Sequence, residues 1–192
     1  MELNIISEVA IKKGVITKDE REIFHAEGQN FTELSKAIYN EFNVDYPKFF
    51  KMDDLSKLGF MTCEVLLDDK AFPKSWDGSE VALILGNRSS SINQDRKHYE
   101  SIKNRNNYFP SPAVFVYTLP NIMLGEICIR HKITGENSCL LMEDYDGEFF
   151  NTYVRDLLEN GNYKYCIYGW VNINEEVYSS KLFLAGKRDQ IN

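Results

Sequence analysis

Three carboxylates stand within four residues, at Glu143, Asp144 and Asp146. They follow the apolar run Ser138–Met142 and open an amphipathic stretch. Carboxylates between a strand and a helix have two uses. They can act as a general base. They can also cap the helix and complement the positive end of its dipole, and Asp144 suits that place. Cys139 lies five residues before Asp144, inside the apolar run. Its thiol reads first as a core side chain and second as a candidate nucleophile. His131 follows Arg130 at the end of another amphipathic stretch, where a cap or surface role suits it. His25 and His98 fall in polar segments.

The four cysteines, Cys63, Cys128, Cys139 and Cys166, are widely spaced, and none forms a CxxC pair. Zinc and disulfide chemistry are therefore weak readings, and buried, reduced thiols are expected. No Walker loop, no GxGxxG and no Ser-His-Asp spacing occurs, so no metal site and no cofactor is expected.

These side chains need a scaffold. Residues 3–16 are rich in Ile and Val and read as a strand or hairpin turning at Gly14. Residues 18–30 are polar and read as a loop. Helical spacing covers 31–43, with Thr32 as N-cap, and 54–68, capped by Asp53 or Asp54. Residues 80–86 suit a strand buried on both faces. The polar segment 87–107 carries a short helix near 95–102. A helix follows over 120–131, then a short strand over 138–142. Asp144–Asn160 forms a helix closed by Asn160 and Gly161 as αL-tolerant residues. Strands follow at 163–171 and 175–185, before a polar tail. Strands alternating with helices give an α/β layered domain, a single unit over 1–192.

The chain has 192 residues, 43% hydrophobic, 27% charged and 13% aromatic, with a net charge of -7. One aromatic-rich core is within reach of that length. Excess negative charge disfavours nucleic acid and anionic lipid as partners. No stretch approaches the ~18 consecutive apolar residues of a membrane helix, and no signal peptide is read at the N-terminus. A cytoplasmic location is expected.

From about Tyr46 to Trp170 the chain resembles the amino-terminal half of β-ketoacyl synthases of the thiolase superfamily. Residues 51–67 (KMDDLSKLGFMTCEVLL) resemble the family's Met-Asp-X-X-X-(Arg/Lys)-Leu helix, and 81–86 (VALILG) the strand after it. Residues 111–126 (SPAVFVYTLPNIMLGE) resemble its Ser/Asn-Pro to Pro-Asn segment. Residues 133–137 (ITGEN) resemble its Gly-Pro-Asn turn, and 159–169 (ENGNYKYCIYG) the helix end and strand that follow. The flavour is that of truncated ketosynthase-like proteins of aryl polyene or flexirubin-type pigment clusters.

The resemblance implies a thiolase-like α/β fold of half size, with a central mixed five-stranded sheet flanked by helices. Residues 1–45 would be an N-terminal strand and helix extension. The family's nucleophilic Cys falls at position 144 from both sides, seven residues after Asn137 and seventeen before Gly161, and the chain carries Asp there. A carboxylate would give a hydrolysable anhydride, not a stable acyl-enzyme. The implied role is a non-catalytic accessory subunit like a chain length factor, in fatty-acid, polyketide or pigment biosynthesis. The alternative is a thioester-acting or acyl-binding enzyme using Asp144, with Glu143 and Cys139 as weaker candidates. The implied partner is a full-length ketosynthase or a second copy, meeting the edge strand Ser138, Cys139, Leu140, Leu141 and Met142. An acidic acyl carrier protein would face Arg88, Arg96, Lys97, Lys103 and Arg105. A lone half would also expose an apolar face where a second half packs; Trp76 and Trp170 belong either to such a contact or to the core.

Overall fold

Lys13 and Gly14 both take positive φ, which closes the first hairpin between β1 (Ile5–Lys12) and β2 (Val15–Lys18). The computed structural model describes residues 3–26, 28–68, 76–106, 108–175 and 177–187. Asp19 and Glu20, also at positive φ, turn the chain again into β3 (Arg21–His25). The expected loop over 18–30 is thus partly a strand. It reads as polar because β3 is an edge strand with mostly exposed side chains.

Helix α1 (Phe31–Glu41) is capped by Asn30, not Thr32; Asn30 and Glu33 form a capping box. Helix α2 (Asp54–Leu67) is capped by Asp53. Then come β4 (Val81–Asn87), α3 (Ile92–Ile102), α4 (Pro112–Val116) and α5 (Ile122–His131). Helix α3 starts earlier than its apolar pattern suggests, and α4 had no signal beyond Pro112 at its first turn. The chain continues with β5 (Asn137–Leu141), α6 (Gly147–Asn160), β6 (Tyr165–Asn174) and β7 (Val177–Gly186). The expected polar tail lies past Lys187, outside the described residues. Gly161 ends α6 in an extended conformation, φ -88 and ψ 176, so the αL closure is replaced. Glycine is needed there because an added Cβ would sit 2.4 Å from the Leu157 carbonyl oxygen.

The sheet has seven strands in the order β3-β2-β1-β7-β6-β4-β5, not five. The first hairpins extend the same sheet, because β1 pairs antiparallel with β7 from Ile5 to Lys12. Only β6, β4 and β5 run parallel. Strand β4 is buried at every position, as its unbroken apolar run requires.

One face of the sheet packs α1, α2 and α5 through Leu34, Leu58, Phe60, Met123 and Ile127 against Leu83, Val171 and Leu182. A buried hydrogen bond between Thr62 and Ser180 (2.6 Å) ties α2 to β7. The other face carries α6, with Phe150, Val154 and Leu158 against Ala82, Ile84 and Tyr168. The outward side of α6 is polar: Glu148, Asn151, Thr152, Asp156 and Glu159 are exposed. Beside it, Glu8 and Lys181 pair at 3.0 Å on the same sheet face. Among the described residues of α6, Phe149 is the exposed large apolar side chain. A helix amphipathic in this sense is satisfied by water on its outer side.

Candidate functional site

Between β4 and β5 the chain passes through α3, α4 and α5, with α5 on one face of the sheet, and after β5 it enters α6 on the other. Neighbouring parallel strands whose connections diverge open a crevice at their carboxyl ends, the usual ligand position in α/β sheets. The turns 88–91 and 142–146 line it. Met142 N–H donates to the Asn87 carbonyl (3.0 Å), and Arg88 Nη1 reaches Asp144 Oδ1 at 3.5 Å.

Asn87 organises the first turn. It is fully buried, donates Nδ2 to the Val171 carbonyl (2.6 Å) and accepts from Ser90 N–H. Asn172 accepts from the backbone N–H groups of Arg88 (3.2 Å) and Ser89 (2.9 Å). These two amides were not singled out in the sequence, where Asn in a polar run carries no mark. They satisfy donors and acceptors that burial would otherwise leave unpaired.

The second turn holds the carboxylates. Asp146, not Asp144, caps α6, accepting from Glu148 N–H and Phe149 N–H at 3.0 Å each. Asp144 stands three residues before the helix, with its side chain 85% exposed. Glu143 is exposed as well. An exposed carboxylate in high dielectric, paired to an exposed guanidinium, gains little over one in water. Cys139 is partly buried and packs against the α2–α5 core. Desolvation pushes its thiol pKa up, the opposite of what a nucleophilic thiolate needs. Burial likewise pushes Cys128 up to about 11 and raises Cys63 and Cys166.

A cavity lined by Asp53, Asp54, Leu55, Ser90, Ser91, Asn93, Gln94 and Ile173 has a volume of about 10 Å³, the space of about one water. An open groove of about 710 Å³ runs along the outer side of α6, between Asp146, Phe149, Tyr153 and Asp156. Asp144 lines neither. Among the described residues no group of His, Cys, Asp and Glu is placed to hold a metal ion, and no helix is long and apolar enough to cross a membrane.

The histidines fall elsewhere. His131 lies at the end of α5, away from the crevice. It approaches Glu64 at 2.9 Å, and Arg130 clamps the same carboxylate with Nε and Nη2 at 2.9 and 3.0 Å. Burial alone would raise the Glu64 pKa, but the bonds from His131 and Arg130 outweigh it and hold the carboxyl below its ordinary range. Arg130 also donates to the Asp45 carbonyl, and Trp76 Nε1 donates to the His131 carbonyl. Trp76 is thus a packing residue. Trp170 packs edge-on against Tyr145.

The basic residues are partly neutralised. Arg88 pairs with Asp144, Arg96 with Glu175 at 2.9 Å, and Lys103 with Glu100. Lys97 and Arg105 are exposed.

No protein-family model matches the chain, and no curated protein matches it. Solved structures do. The ishigamide ketosynthase/chain length factor aligns with 100% of this chain and 64% of its own, at a TM-score of 0.72 and 14% identity. A ketosynthase in complex with its chain length factor from Xenorhabdus doucetiae aligns with 97% of this chain and 79% of its own, at 0.64 and 13%. This chain has the ketosynthase fold. A β-ketoacyl synthase from Burkholderia phymatum adds a match over 98% of this chain and 60% of its own, at 0.59 and 10%. The chain thus spans 64% of the length of the first ketosynthase-fold chain it matches.

Proposed function

We propose that this chain is a non-catalytic accessory subunit of a ketosynthase, comparable in role to a chain length factor. One observation carries the reading. Where the resemblance sets the nucleophile, at the carboxyl end of β5, the chain holds Asp144, exposed and ion-paired to Arg88. Cys139, the nearest thiol in sequence, has its pKa raised by burial and not lowered. Two of the solved relatives are described as ketosynthases with chain length factors, which supports the same reading.

Strand β5 supplies the docking edge. It is the last strand of the sheet, so its outer N–H and C=O groups are open to pairing. Leu141 is 59% exposed at its end, and Ser138, Cys139, Leu140 and Met142 complete the contact strand. The partner is a full-length ketosynthase in the cytoplasm, which supplies the thiolate.

Reconstituted condensation tests this. The ketosynthase of the source organism is assayed with and without this chain, and product lengths are read by mass spectrometry. The reading expects the chain to change rate or product length, and Leu141→Lys to remove that effect. Turnover of acyl thioesters by this chain alone, abolished in Asp144→Asn, would establish the enzymatic alternative instead.

A further inference from the structure

Charge gathers on α6 and the turn before it. Residues 143–160 hold six acidic side chains against the single base Arg155, which accounts for five of the seven net negative charges of the chain. Glu8, Glu64, Glu80 and Glu126 each hold a cation, from Lys181, Arg130, Lys164 and Lys48. Among the described residues no lysine, arginine or histidine pairs with Asp146, Glu148, Asp156 or Glu159. Asp146 is occupied as the cap, and Asp156 accepts from Asn160 Nδ2 at 2.8 Å. Neither bond cancels charge.

The free carboxylates stand beside aromatic rings. Glu148, Thr152 and Asp156 recur every four residues, on one side of the helix, and Glu148 lies about 12 Å along the axis from Asp156. Between them Phe149 is 43% exposed and meets the Tyr153 ring edge-on at 6.0 Å. Tyr153 is fixed from behind, its hydroxyl donating to Glu136. These side chains line the open groove of about 710 Å³. Water solvates the carboxylates, but it leaves Phe149 bare and the like charges unbalanced.

Charge decides the occupant. Nucleic acid, anionic lipid and an acidic carrier protein are repelled. A two-fold contact between copies through α6 would set these carboxylates against each other. A small amine would stay mostly wet in a groove open along its length. An amphipathic helix fits, with two cations about two turns apart and an apolar side chain midway. We propose that the α6 groove docks a basic amphipathic helix of a partner protein. The cations meet Glu148 and Asp156, and the apolar side chain covers Phe149. The proposal stands apart from the accessory-subunit reading, which rests on Asp144 and the β5 edge.

Fluorescence anisotropy on the full chain tests it. The probe is a labelled helical peptide with Lys at i and i+7 and Phe at i+4. A peptide of the same composition in scrambled order is the control. The expected result is binding of the ordered peptide that falls as salt rises. Thr152→Lys with Asp156→Lys keeps the Asp146 cap and should weaken binding at least about tenfold. Phe149→Ser should weaken it about tenfold as well. Both variants should melt within a few degrees of the parent, because the altered side chains are exposed. No binding of the ordered peptide overturns the proposal. Equal binding of the scrambled peptide, or binding that both variants retain, reduces it to diffuse charge attraction and overturns it too. Loss of the ketosynthase complex in Thr152→Lys with Asp156→Lys would assign the groove to that partner and overturn a separate occupant. The accessory reading itself fails or stands on Leu141→Lys, at the β5 edge.

Discussion

Asp144 and Asp146 are two residues apart, and only Asp146 holds the helix. It accepts from two N–H groups at the start of α6, while Asp144 points to solvent and Arg88. Asp146→Ala is expected to cost about 1 kcal/mol as a lost N-cap. Asp144→Ala should shift the melting temperature by about 2 °C or less, as exposed ion pairs do. Thermal melts of the two variants side by side check this; equal losses would contradict the assignment of the cap.

The Glu64 clamp predicts a pH dependence. Its folded carboxyl lies below its unfolded value, so the clamp contributes fully above the ordinary carboxylate range. The contribution is lost as pH falls through the folded value. Glu64→Gln should therefore be less stable than the parent at pH 7, by about 2–3 kcal/mol, and the gap should shrink in acid. Urea unfolding at pH 7 and pH 3 measures both ends. A gap that widens in acid would refute the clamp.

Gly169 sits at φ +144, and an added Cβ would lie 2.1 Å from the Lys181 carbonyl oxygen across β6 and β7. Both conformation and space exclude a side chain. Gly169→Ala is expected to cost at least about 3 kcal/mol, read as a fall in the urea midpoint or in soluble yield.

Asn87 is fully buried and bonds the Val171 carbonyl and Ser90 N–H. Asn87→Leu should strand both groups and cost about 2–4 kcal/mol by urea unfolding. Hydrogen exchange should quicken in the turn 88–91, since the Asn87 amide, beside Asn172, ties that turn to β6.

The sequence was informative wherever one physical cause dominated. The unbroken apolar run of β4, the helices over 54–67 and 122–131, and the position of Asp144 after β5 were all legible, because burial and periodicity leave a mark on residue type. Strand β3 was not, because an exposed edge strand has no apolar face to show. The cap of α6 was misplaced by two residues, because Asp144 and Asp146 are chemically equal and only backbone geometry separates them. Asn87 and Asn172 were silent for the same reason: an amide in a polar run looks like solvent-facing loop until its partners across the sheet are known.

The central claim is that this chain lends a ketosynthase its surface and not a nucleophile. Native mass spectrometry tests it most directly, on the chain mixed with the source organism's ketosynthase and an acyl thioester, with the two subunits separated in the gas phase. The account predicts an equimolar complex with the acyl mass on the ketosynthase alone. An acyl adduct on this chain, or a ketosynthase that never binds it, would contradict the account.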